Sequence, residues 1–180
     1  MPSNTVARPV AFRVADLRDA EAIAQIYNEG IEDRIATFET APSRIEDITA
    51  RLGNTAFPTV IVQDNNEHTV GWAGLSSYRS RECYAGIAEF SIYVGRSTRG
   101  CGLGKPLLTF LINVARERGF WKLISRIFPF NVASRAVCRA CGFREVGRYE
   151  KHARLHGRWL DVIIVERLIP ENFAAQDPWD

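Results

Sequence analysis

The 180-residue chain has no apolar run approaching the roughly 20 residues that a membrane-crossing helix requires. Its amino terminus lacks the apolar core of a secretory signal. An excess of one charge is also missing. The 23 Lys and Arg against 21 Asp and Glu leave a net +2, too near neutrality to argue for a nucleic acid or an anionic membrane as partner. Cysteine is sparse, and the four thiols, at 83, 101, 138 and 141, have no second Cys or His pair at finger spacing. They cannot supply the four ligands of a structural zinc, so no metal is expected, and they read as reduced cysteines of a cytoplasmic protein. No repeat and no internal linker divides the chain. Its length, with 46% hydrophobic and 24% charged residues, describes one folded domain with a proper core. The segments 3–8 and 171–180 read as polar or irregular tails.

Apolar periodicity supplies the elements. Arg13 to Ala15 suggests a first strand, and Asp16 is placed to cap a helix across Ala20 to Gly30. Ser43-Arg44-Ile45-Glu46 has the form of a capping box opening a second helix towards Leu52. Thr59 to Gln63 and Thr69 to Tyr78 form a hairpin that turns at residues 64–67. Strand, helix, strand, helix then runs from Ala88 to Cys141, with Lys122 to Phe128 as the inner strand. A last hairpin, Arg144 to Arg154 with Leu160 to Leu168, turns at His156-Gly157. The plan is mixed α/β around one central sheet.

The most informative stretch is Arg99-Gly100-Cys101-Gly102-Leu103-Gly104-Lys105, between the strand-like Phe90 to Val94 and a helical pattern from Leu107. Glycines let a backbone approach phosphates, and the unpaired N–H groups and dipole of a helix start favour an anion. Arg99 and Lys105 flank the turn and can add charge-assisted bonds. A Walker loop is excluded because Lys105 precedes Pro106 rather than Ser or Thr. A dinucleotide fingerprint is excluded because the third glycine falls one residue early and no acidic residue sits near position 123.

What fits is Arg-x-x-Gly-x-Gly, Arg99 through Gly104, which resembles the acetyl-CoA pyrophosphate loop of the GNAT N-acetyltransferases. Asn131 to Ser134 resembles that superfamily's Asn-x-x-Ser element, and Gly142-Phe143 its closing Gly-Phe. Tyr27-Asn28, residues 37–40, 78–84 and 88–94, and residues 156–162 are similar to phosphinothricin N-acetyltransferase and its relatives, over roughly residues 12 to 169. The resemblance implies a single GNAT domain at 12–169, with tails at 1–11 and 170–180 and a mixed sheet splayed at the acetyl-CoA site. It implies that Ile92, Tyr93, Val94, the loop Arg99, Gly100, Cys101, Gly102, Leu103, Gly104 and Lys105, and Asn131 with Ser134 hold acetyl-CoA. It also implies a homodimer and a glutamate-analogue substrate: phosphinothricin, methionine sulfoximine or sulfone, or arsinothricin. The other readings are acetylation of another amine or of a protein amino terminus, and an acyl-CoA sensor without catalysis; the retained Glu89 speaks against the sensor.

Glu89 matches the family's catalytic glutamate. An ammonium cannot attack a thioester until it loses a proton, and a carboxylate can take it. Strand alternation puts Glu89, Ser91 and Tyr93 on one face. The resemblance places an oxyanion donor at a backbone N–H near Val94. Where many acetyltransferases use Tyr as the acid, this chain has Cys138. That leaves Cys138, water or departure of a bare thiolate. Arg79 and Arg81, two apart on a strand end, would share a face and offer forks for carboxylate, phosphinate or arsonate oxygens. Phe38 would close the pocket as an apolar lid. Tyr84 and Tyr93 are further substrate contacts, and His156 matches a histidine that the family places near its substrate. His68 and His152 read as surface histidines, and Trp72, Trp121 and Trp159 as core or interface.

Overall fold

The computed structural model describes residues 9–173. In chain order the elements are β1 (Ala11–Val14), α1 (Ala20–Asp33), α2 (Ile45–Gly53), β2 (Thr59–Gln63), β3 (Thr69–Ser77) and β4 (Ile87–Val94). They continue with α3 (Gly104–Glu117), β5 (Lys122–Ile127), α4 (Val132–Ala140), β6 (Arg144–Leu155) and β7 (Arg158–Leu168). The strands form one seven-stranded sheet in the order β1-β2-β3-β4-β5-β7-β6. Neighbours are antiparallel except β4 and β5, which run parallel because α3 carries the chain between them.

Alternation along the strands divides the apolar residues between two faces. Val60, Val62, Ala73, Leu75, Ala88, Phe90 and Leu123 pack with Leu107, Leu108 and Leu111 of α3. The opposite face carries Ile61 and Trp72 against Ile23 and Ile26 of α1 and Ile48 of α2. Asp16 starts the chain's turn into α1 by accepting from the Arg18 N–H at 2.9 Å, although it caps a short 3-10 turn, Leu17–Asp19, rather than the helix itself. The second cap also differs from the sequence reading by one residue. Arg44 is the N-cap of α2, with the Asp47 carboxylate accepting from its N–H at 3.2 Å. Ser43 instead donates its N–H to Asn28 Oδ1 at 2.8 Å, pinning α2's entry to α1.

The feature that positions the site is a divergence of strands. β4 pairs with β3 along its length, through Val94, and β5 pairs with β7 through Ile127. Between them the parallel pairing spans only Ile87 to Glu89 with Lys122 to Ile124. Past that point Ser125 Oγ donates to the Phe90 carbonyl at 2.9 Å, and the two strands part. At the chain's edges, β1 starts at Ala11. Residues 170–172 form a turn held by Asn172 Nδ2, which donates to the carbonyls of Arg116 and Phe120 at 2.7 and 2.9 Å. The other tail positions, 1–8 and 174–180, lie outside the described residues.

Candidate active site

A cavity of about 410 Å³ opens where β4 leaves β5. Ile92, Tyr93 and Val94 of β4 form one wall. The Gly95 N–H donates to Val70 on β3 at 2.8 Å, so alternation aims the N–H groups of Ile92 and Val94 the other way, towards the gap. Arg99, Gly100, Gly102, Leu103, Gly104 and Lys105 form the second wall, and Asn131 and Ser134 at the start of α4 form the third. The structure thus gathers on one cavity nearly all the residues that the motifs nominate for acetyl-CoA.

The glycine loop has the backbone that its sequence demands. Gly100 and Gly102 adopt φ of 78° and 81°, in the left-handed region that side chains disfavour. α3 then begins at Gly104, presenting its first free N–H groups to the cavity. Cys101 departs from its expected place, since its exposed side chain is not on the cavity wall. Arg99 is tethered rather than free. Its guanidinium pairs with Asp33 at the end of α1, and its Nε donates to the Val94 carbonyl at 3.1 Å. The Arg99 guanidinium, with that of Arg96 at 2.8 Å, holds the Asp33 carboxyl below the usual carboxylate range. Asn131 caps α4 by accepting from the Ser134 N–H at 3.1 Å, while its amide donates to the Ile35 carbonyl at 2.9 Å.

Tyr93 is clamped under α1. Its ring stacks on Trp72 at 4.9 Å and meets Tyr27 edge-on at 5.0 Å. α1 approaches so closely that a Cβ at Gly30 would stand 3.0 Å from two atoms of that ring. Burial raises the pKa of its hydroxyl, with Tyr27 adding to the shift. The Arg51 guanidinium also lies over Trp72, 5.1 Å from the ring centroid.

A smaller cleft of about 70 Å³ shares Ala36, Ile92, Tyr93, Asn131 and Ser134 with the main cavity and adds Ser91, Ser125, Arg126 and Phe128. Glu89 stands at the last position of β4 that pairs with β5 and makes an ion pair with Arg126 of β5. Phe38 meets Phe128 edge-on at 4.8 Å, beside this cleft. Arg126 was not singled out from the sequence. Its signal lies in alternation alone: on a strand where Leu123 and Ile127 are buried, Ile124 and Arg126 share the opposite face, and the register sets that face beside Glu89.

Three other expectations are placed differently. β3 ends at Ser77, so Arg79 and Arg81 lie in the following loop rather than on a strand. The Arg79 guanidinium sits over Tyr78 at 5.1 Å and faces Tyr84 at 6.0 Å, and Arg79, Arg81 and Tyr84 line a depression of their own. His156 is exposed at φ 46° in the β6–β7 turn and lines neither the cavity nor its cleft. Of the histidines, it is His152 whose ring lies 6.3 Å from Phe38 and 5.4 Å from Tyr149. Cys138 is buried and turned from the cavity, where its neighbour Val137 forms the wall. Burial, with Cys141 nearby, pushes its thiol up to about 12. Among the described residues no group of three or more His, Cys, Asp or Glu could hold a metal ion, and no helix is long and apolar enough to cross a membrane.

The acetyltransferase (GNAT) domain family matches residues 12–164. The chain belongs to that family. It is 30% identical to the L-methionine sulfoximine/L-methionine sulfone acetyltransferase of Pseudomonas aeruginosa, over 87% of this chain and 92% of that one. It is 32% identical to the phosphinothricin N-acetyltransferase of Alcaligenes faecalis, over 86% and 80% of the two chains. Among solved structures, a GNAT phosphinothricin acetyltransferase from Sinorhizobium meliloti in complex with acetyl-CoA superposes with a TM-score of 0.83. That match is at 31% identity and covers 89% of this chain and 88% of the other. This GNAT acetyltransferase therefore takes its acetyl group from acetyl-CoA.

Proposed function

We propose that this acetyltransferase moves the acetyl group onto the amino group of a small amino acid of the glutamate-analogue type: phosphinothricin, methionine sulfoximine or sulfone, or arsinothricin. The product is a detoxified amide. The observation that carries the reading is the position of Glu89, a carboxylate at the strand divergence, beside the cleft that opens into the acetyl-CoA cavity.

In this reading Glu89 takes the proton of the substrate ammonium, directly or through water, and the amine attacks the thioester in a ternary complex without an acyl-enzyme. The N–H groups of Ile92 and Val94 face the gap and stabilise the charge that develops on the acetyl oxygen. The loop Arg99 to Lys105, with Asn131 and Ser134, binds the pyrophosphate and pantetheine. Arg79 and Arg81 take the tail of the substrate, with Tyr84, Phe38 and Tyr93 shaping its surroundings. Cys138 has no part. Its raised pKa and its burial away from the cavity make it a poor donor, and coenzyme A leaves as a thiolate or is protonated by water. A polyamine substrate is disfavoured by cations at the tail position.

An initial-rate panel with acetyl-CoA tests the reading. Amino acids with phosphinate, arsonate or sulfone tails are expected to outpace polyamines and peptide amino termini in kcat/KM. Arg79→Ala and Arg81→Ala should each lower kcat/KM roughly 10- to 150-fold for ionised tails, the worth of a bond to a charged group, and less for methionine sulfone. A peptide amino terminus turning over faster than every free amino acid would overturn the reading.

A further inference from the structure

We propose that Arg126 binds the α-carboxylate of the amino-acid substrate, and that the Arg126–Glu89 ion pair is a placeholder exchanged for substrate. On binding, Arg126 passes from Glu89 to the α-carboxylate, and Glu89 passes from Arg126 to the α-ammonium. This role rests on the reading of the substrate as an α-amino acid and names the residue that enforces it.

The spacing of charges is the starting point. The ammonium and carboxylate of an α-amino acid are carried by one carbon atom, so the ligand presents two opposite charges nearly in contact. Glu89 and Arg126 present the complementary arrangement, opposite charges in direct contact on neighbouring strands, with Glu89 at the last pair before β4 and β5 part and Arg126 two residues past its register partner Ile124. An anionic tail lies several atoms further along the substrate. With the substrate extended, it stands away from Arg126 while the amine is at Glu89. Arg79, in the separate depression beside Tyr84, stands apart from this pair and is free for that tail.

Reach and chemistry agree with this. The Arg126 side chain is 44% exposed and lines the cleft, and that of Glu89, its ion-pair partner, is 23% exposed, so neither is sealed from solvent. Ser91 and Ser125 line the same cleft. The α-carboxylate arrives on the same carbon as the ammonium, so one ligand offers Arg126 an anion and Glu89 a cation in exchange for their mutual contact. An amine without a neighbouring carboxylate leaves the pair closed. The Arg126–Glu89 pair therefore selects for zwitterions.

The test compares each amino acid with its α-carboxamide, in wild type and in Arg126→Gln and Arg126→Lys, using phosphinothricin and methionine sulfone. The ratio of ratios cancels the difference in amine basicity between acid and amide. Wild type is expected to favour the acid, and Arg126→Gln to lose about 10- to 150-fold in kcat/KM on the acid with little loss on the amide. Arg126→Lys should restore part of the preference. An unchanged acetyl-CoA KM in each variant reports an intact fold and loop. Equal losses on acid and amide would make the pair a structural surface bridge and overturn the proposal, as would wild type indifferent to the free carboxylate. Wild type that acetylates no α-amino acid at all would overturn the substrate reading and this inference together. A preference that survives Arg126→Gln overturns the inference alone.

Discussion

Glu89 and Cys138 are the two residues whose chemistry the structure separates most clearly. Glu89 is partly exposed at the strand divergence, whereas Cys138 is buried behind Val137. Glu89→Gln keeps the shape and removes the basicity, so kcat should fall about 10²- to 10⁴-fold while the acetyl-CoA KM holds. Near-normal turnover in a steady-state assay would remove Glu89 from the role. Cys138→Ala, by contrast, should leave kcat within a few-fold of wild type. Its effect belongs to stability, about 1 kcal/mol or somewhat more for a buried side chain shortened by one atom, read from a denaturant midpoint. A loss of kcat comparable to that of Glu89→Gln would return the thiol to the mechanism.

Among the elements, the loop between β4 and α3 depends on two kinds of support. Its glycines supply the backbone conformation, and Arg99 anchors it to α1 through Asp33. At Gly102 a Cβ would find nothing within 4 Å, so the penalty of a side chain there is backbone strain at φ 81° and obstruction of the cavity, not a clash with protein. Gly102→Val should therefore raise the acetyl-CoA KM far more than the amine KM, and unchanged values for both would make the loop a turn without a ligand. Asp33→Asn removes the anchor without touching the loop. The same KM should rise, by a smaller factor than in Gly102→Val, with kcat less affected.

For the molecule as a whole, charged side chains tie one element to another, either far apart in the chain, as Asp33 with Arg99, or consecutive, as Glu145 with Arg135. Asp33 takes Arg99 and Arg96, Glu145 takes Arg135, and Asp161 takes the Lys151 N–H and Arg148. Each of these carboxyls lies below its ordinary value, because bonds to the named donors favour the charged form. A depressed folded-state pKa contributes stability that is present above the unfolded value, near 4, and is lost as pH falls through the folded value. The thermal midpoint should therefore hold between pH 7 and about 5 and drop below about 4. Asp33→Asn should shrink that drop, and an equal acid loss in wild type and Asp33→Asn would remove Asp33 from the account.

Much of this molecule was legible in the chain itself, because the responsible forces are local. Apolar alternation and helical spacing, with a capping pattern before α2, marked the strands and helices, and three closely spaced glycines before a helix marked the loop between β4 and α3. The structure brings those loop residues and Asn131 with Ser134 to one cavity. What the chain could not express is contact between strands far apart in sequence. That β4 leaves β5 after Glu89, that Arg126 thereby meets Glu89, and that Arg99 reaches Asp33 all depend on sheet register and on how α1 packs. The placement of Arg79 and Arg81 was missed for the same reason: β3 stops where its pairing with β4 stops, at Ser77 opposite Ala88, and no periodicity in β3 records where its partner begins. Local propensity is written residue by residue, but charge partners and cavity walls are fixed only when the sheet closes and its register is set.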